Sequence, residues 1–218
     1  MADDPEFNQQ AFAPLSVKCN DSDCSTGRHA FSPDKTKKSW AKTYEGQCRD
    51  CGVKLVDWDR TKARDLRDVE GVFRELQHEL IRHVFFHADF DEKSRAQAAK
   101  LGRDGLRAKV RPYLEKKIGR ANIYRDGTQT PKHSSAIHFG QHATATCCRK
   151  CVAYWHGIPA GHELTSVELD YCTGLVLAYL DQRMVDLMAA PPGAARDGDL
   201  FTPKPQADGA TDQPGPAA

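Results

Sequence analysis

The sequence predicts a mainly α-helical protein preceded by a small β-rich, zinc-ribbon-like module. Two amphipathic stretches predict the helices, one over residues 65–86 and one over 164–187. Four cysteines within residues 19–51, set among glycines and short β-leaning runs, predict the module. With 218 residues there is room for one ordinary domain and an appendage. The expected organisation is a poorly ordered leader over 1–15, the zinc-ribbon-like module over 16–60, a helical domain over 61–188 and a disordered tail over 189–218.

Composition excludes some classes. Charged residues make up 28%, and no apolar run approaches the ~20 positions of a membrane span. Met1 to Gln10 carries three acids and no apolar signal core, so a cytoplasmic protein without a membrane partner is expected. The leader is polar, with Pro5 and Pro14. The module, with Gly27, Gly46, Gly52 and the run Val53-Lys54-Leu55-Val56, has too little apolar surface for a core of its own and needs a staple.

Within the helical domain, Val69, Val72, Phe73, Leu76, Leu80 and Val84 recur at helical steps and predict one helix over 65–86. A second helical stretch over 93–118 buries Leu106, Val110, Tyr113, Leu114 and Ile118. Gly102 breaks it, and Pro112 either kinks or restarts it. Residues 125–135 read as a loop: Asp126-Gly127 makes a turn and Pro131 turns Thr130 away from helical angles. A helix is expected over 144–156, stopped by Gly157 with Pro159 beyond it. Thr165 and Glu168 form a capping box for the last helix, with Leu164 as staple. After Met188 the chain is rich in Ala, Pro, Gly and Asp, a composition that cannot offset the entropy of ordering.

Cys19-x4-Cys24 followed by Cys48-Arg-Asp-Cys51-Gly52 is the most specific chemical signal. Two short cysteine pairs on two turns can present four thiolates tetrahedrally, as a structural Zn²⁺ site requires. The first gap is longer than the commoner two residues, so His29 is an alternative to one cysteine. Unrelated thiols or disulfides are the competing reading, which a reducing compartment disfavours.

A second cluster contains His138, His142, Cys147, Cys148, Cys151 and His156. On one helix the three sulfurs fall within about a 100° sector. Three readings stay open. The cluster is a metal site, for zinc or iron, with His142, Cys147, Cys148, Cys151 and His156 as candidate ligands and Cys172 a further one. Alternatively Cys148 is an activated nucleophile, with His142 and Arg149 as its catalytic partners. Or the cysteines are small buried residues packing a tight helix contact. Glu79, His83 and His87, at four-residue steps, can hold a metal or form a solvated face.

The block Asp126-Gly-Thr-Gln129-Thr-Pro131, then Gln141-His-Ala-Thr-Ala-Thr-Cys-Cys-Arg149, Cys151, Trp155-His156-Gly-Ile-Pro159, resembles a bacterial family of unknown function with a DG-x-QTP loop, a QHATATCCR-x-C segment and a WH-x-IP stretch. The resemblance spans residues 105–187. It implies that His142, Cys147, Cys148, Arg149, Cys151, Trp155 and His156 form the family's site, lined by Asp126, Gln129 and Thr130. It supplies no reaction. The chain departs from the family where a Gly-His-Pro gives way to Ser134-Ser135-Ala136-Ile137-His138, and the N-terminal cysteine module looks like an addition.

Charge is uneven. Residues 93–125 carry eleven basic residues against two acids, whereas residues 157–218 carry three against nine. Lys100, Arg103, Arg107 and Arg111 lie on one side of the predicted apolar stripe; Lys109, Lys116, Lys117 and Arg120 continue the run. Such a helix can straddle a phosphate backbone. The expected function is therefore a zinc-binding protein that contacts nucleic acid through this segment. The alternatives are a metal- or thiolate-dependent enzyme of hydrolase or nuclease type centred on the second cluster, and a structural adaptor with two metal staples.

Overall fold

The structure, a computed structural model, describes residues 13–32, 45–121 and 128–189. Most of the expected leader and tail, and the turn at Asp126, lie outside these residues. Eight α-helices form among the described residues: α1 (Trp58–Ala63), α2 (Val69–Leu76), α3 (Leu80–His87), α4 (Glu92–Leu114), α5 (Ala136–Ala143), α6 (Arg149–His156), α7 (Ser166–Gln182) and α8 (Met184–Met188). Three of them start where a side chain takes an orphan amide. Asp57 accepts from Arg60 N, Asp91 from Ser94 N, and Thr165 and Glu168 close the reciprocal capping box on α7. Gly157, at φ 62°, ends α6 in the left-handed conformation that glycine adopts without penalty.

The apolar stripes converge on one core. α7 packs against α4 and α5, α3 packs against α5, and α1 lies on α6. Phe85, Phe139, Leu106, Val176 and Tyr179 fill the centre, and Tyr179 satisfies its hydroxyl on the Phe85 carbonyl at 2.7 Å. The same core includes Val17, Phe31 and Cys48 from the N-terminal segment. Phe31 stands edge-on to both Trp58 and Trp155, and the two tryptophans meet at 4.9 Å between centroids.

The N-terminal segment is not β-rich. Among the described residues there is no strand, only isolated bridges at Asp23–Arg28 and His29–Glu79. Its backbone groups are spent elsewhere, which leaves no ladder to build. Gly27 N bonds Cys24 O, Gly52 N bonds Cys48 O, and Arg49 N bonds Ala30 O.

The helix expected over 65–86 is cut in two for a related reason. His29 N donates to His78 O at 2.8 Å and Leu80 N donates to His29 O at 2.9 Å, so the N-terminal chain occupies the gap between α2 and α3. The helix expected over 144–156 is likewise replaced by α5, a loop over 144–148 and α6. Thr144 turns its hydroxyl onto Gly140 O, Gln141 Nε2 donates to Thr146 O, and Ala145 sits at φ 55°. Gly102, at φ 65° and ψ 175°, breaks α4 as its position predicts, while Pro112 stays inside the helix, followed by one π-turn over Glu115–Gly119. No described helix is long and apolar enough to cross a membrane.

Gly102 occupies a backbone region open essentially to glycine alone, with nothing within 4 Å of where a Cβ would stand. Gly102→Ala is therefore expected to destabilise by backbone strain and not by collision, about 1–3 kcal/mol. An unchanged urea midpoint for the variant contradicts this.

Candidate metal centres

Two sets of side chains converge. In the first, donor atoms of Cys24, His29, Cys48 and Cys51 all lie within 4.8 Å of one another. The turn at Cys24–Thr26, ending on the left-handed Gly27, and the turn ending on Gly52 present them, and the bridge to Glu79 fixes His29. Cys24 Sγ and Cys48 Sγ are 3.7 Å apart, and Cys51 Sγ stands 3.4 Å from His29 Nδ1. An ion held at about 2.3 Å from sulfur and about 2.05 Å from nitrogen separates its tetrahedral ligands by about 3.8 Å (S to S) and 3.6 Å (S to N). The observed edges match such an ion.

His29 thus takes the place that the spacing gave to Cys19. Burial holds the His29 imidazole below its ordinary pKa, which keeps the ring neutral and its lone pair available. Burial also pushes the Cys24 thiol up, to about 12. Without a cation the crowded sulfurs cannot all ionise, and a divalent ion would relieve that constraint.

The second set is Cys147, Cys148 and Cys151, again within 4.8 Å and only 1%, 4% and 7% exposed. Cys148 is the N-cap residue of α6, its backbone extended, and Cys151 lies in the first turn. Hydrogen bonds from the Cys147 and Cys151 thiols, outweighing burial and helped by the Cys151 and Lys150 amides, draw the Cys148 thiol down to about 3. Cys147 is pushed far up by the same partners. Cys151 is also drawn down, first by the Cys147 thiol, so one proton-rich sulfur serves two proton-poor neighbours.

Sequence reading missed Arg82, the group that frames this set. It has no exposed surface. Nη2 points at Cys151 Sγ at 3.3 Å, Nη1 at Cys147 Sγ at 3.9 Å and at His142 O at 2.6 Å, while Nε faces Glu79 Oε2 at 2.9 Å. Burial works against its charge, but Glu79 and the sulfurs outweigh it and hold the guanidinium protonated. Glu79, equally buried, also accepts from Ser32 Oγ and Trp155 Nε1. Glu79 therefore serves an ion pair and not a metal site with His83 and His87, whose rings meet at a tilt with centroids 4.3 Å apart. The visible signal was two charges, Glu79 and Arg82, placed inside an apolar run.

The other expected site residues are brought elsewhere. His142 Nε2 meets Thr130 O at 2.8 Å and its ring stacks on Phe85. His156 uses both nitrogens, on Thr144 O and Tyr171 Oη. Arg149 clamps the carbonyls of Ile118, Pro159 and His162. His138 bonds Tyr113 Oη, and Cys172 is buried on α7 outside the set. From the loop, Thr130 holds the Cys147 backbone and Gln141, and Gln129 donates to Cys19 Sγ.

These features define a helical protein with two thiolate-rich positions that can hold a metal ion, compatible with zinc. Residues 70–181 match the family described as a domain of unknown function, DUF4186, and the chain belongs to that family. No solved structure matches it. The second set lies within the matched residues, whereas the first precedes them.

Burial, chiefly, lowers the pKa of His142 to about 3 and of His156 to about 4. Both are neutral in the folded chain but titrate near 6.5 when unfolded. Their contribution is complete above pH 6.5 and is lost as pH falls towards 4, about 2 kcal/mol per histidine between pH 7 and 5. NMR titration is expected to show both rings neutral at pH 5; a midpoint near 6.5 for either contradicts this.

Proposed function

We propose that this chain is a zinc-binding protein in which ions at both positions act as folding staples. The observation that carries this reading is the pair of tetrahedral edges in the first set, 3.7 Å between Cys24 and Cys48 sulfurs and 3.4 Å from Cys51 to His29. Four protein ligands leave no place for water or substrate, which suits structure and not chemistry. Ligands from two turns of a segment without a core of its own make metal affinity a part of folding energy.

For the second set, burial of all three sulfurs supports the same role. It weighs against the nucleophile reading, as do the engagement of His142 with a carbonyl and the diversion of Arg149 to a backbone clamp. Purified protein is expected to hold two zinc ions per chain by elemental analysis and to lose helical signal and thermal stability when a strong chelator removes them. One ion or none, or full stability after stripping, contradicts the reading.

A second reading is contact with nucleic acid. Arg107 and Arg103 share Asp181, and Arg111 pairs with Asp170, so three of the expected cations are engaged within the fold and two of their charges are offset. What favours contact is the remainder. Lys109, Lys116, Lys117 and Arg120 are exposed near the end of α4 and in the π-turn, with no ion pair among the described residues, and Lys100 is exposed on the same helix. Four phosphate contacts give a slope of log K against log salt of about −3 to −4 on duplex DNA. Gel-shift titration at two salt concentrations is expected to show that dependence, reduced in Lys116→Glu. No binding at low salt overturns it.

A further inference from the structure

Resting on the metal-binding reading above, we infer that Cys19 is the fourth ligand of the second centre, completing a closed Cys19–Cys147–Cys148–Cys151 zinc site that ties the N-terminal segment to the DUF4186 domain. Cys19 is left over from the first set, where His29 stands with Cys24, Cys48 and Cys51. Its thiol instead neighbours the Cys151 thiol, outside the 4.8 Å grouping of the other three sulfurs, so an ion would have to draw it in.

Independent contacts hold it there. Val17, two residues earlier, is buried in the common core, and Lys132 Nζ donates to its carbonyl. Gln129 Nε2 donates directly to Cys19 Sγ, while the next residue, Thr130, donates both its amide and its hydroxyl to Cys147 O. One short loop therefore holds Cys19 by its sulfur and Cys147 by its backbone. The Arg82 guanidinium also faces Cys151 and Cys147. N–H donors aimed at sulfur from Gln129 and Arg82 are what thiolates attract.

Charge argues the same way. Four thiolates with a divalent ion leave two negative charges; Arg82, which Glu79 already balances, and the Gln129 amide aim N–H donors at the sulfurs and screen part of that charge. The mutual approach of Cys147, Cys148 and Cys151 within 4.8 Å suits one mononuclear ion, since an iron–sulfur core would spread its thiolates wider. The two centres are then interleaved along the chain. Cys19 crosses to the far centre before Cys24 and His29 enter the near one, so the segment between them is pinned at both ends.

The test uses the full-length chain loaded with Co²⁺, whose charge-transfer absorption counts thiolates. Wild-type protein is expected to bind two ions with seven thiolates in total. Cys19→Ser is expected to weaken one ion by more than about tenfold in chelator competition, with one thiolate's absorption lost and the other ion unchanged. Cys24→Ser is expected to weaken the other ion instead.

Should Cys19→Ser fail to fold, alkylation of the wild-type holoprotein decides the matter. On gradual chelation, Cys19 is expected to become reactive in the same phase as Cys147, Cys148 and Cys151, mapped by mass spectrometry. Two ions bound with unchanged affinity in Cys19→Ser, or Cys19 alkylated while the other three stay protected, overturns the inference and leaves the staple reading intact. Wild-type protein that binds neither ion overturns both.

Discussion

A guanidinium with no exposed surface must be surrounded by negative charge, and Arg82 meets that requirement by drawing three parts of the molecule together. Glu79 faces it from the head of α3, the Cys147 and Cys151 sulfurs face it from the start of α6, and the His142 carbonyl closes α5 onto it. Glu79 in turn collects Ser32 and Trp155. Removing one partner from such a buried pair leaves an uncompensated charge, which is far costlier than losing an exposed bridge. The geometry of the thiols is thus inseparable from the geometry of the core.

That arrangement also explains why the N-terminal segment cannot be understood as a separate ribbon. Its backbone pairing with the helical part, among the described residues, fills the gap between α2 and α3, its Phe31 enters the tryptophan cluster, and its Ser32 reaches the Glu79 carboxylate. Ions at its own turns would stiffen those turns. Its placement comes from the helical domain. The basic run on α4 shows a comparable internal use, since acids on α7 take up three of its arginines before any external polyanion can.

What could be read from the sequence follows the range of the interactions concerned. Thr165 with Glu168, Gly157 and Gly102 are local devices, acting within a few residues, and each stands where the sequence puts it. The convergence of Cys147, Cys148 and Cys151 was also readable, because three positions within five residues stay close whether or not the helix is continuous. By contrast, the exchange of His29 for Cys19 and the break at His78–Glu79 depend on contacts between residues some 50 to 130 positions apart. No spacing rule reaches that far. The β-leaning run Val53–Val56 found no partner strand among the described residues, so its propensity had nothing to act through.

The measurement that bears most directly on two thiolate-rich centres is zinc X-ray absorption on the purified, metal-replete protein. The account predicts a first shell dominated by sulfur at about 2.3 Å with a minor nitrogen contribution, from three cysteines and one histidine at one ion and cysteines alone at the other. A shell dominated by nitrogen and oxygen would contradict it.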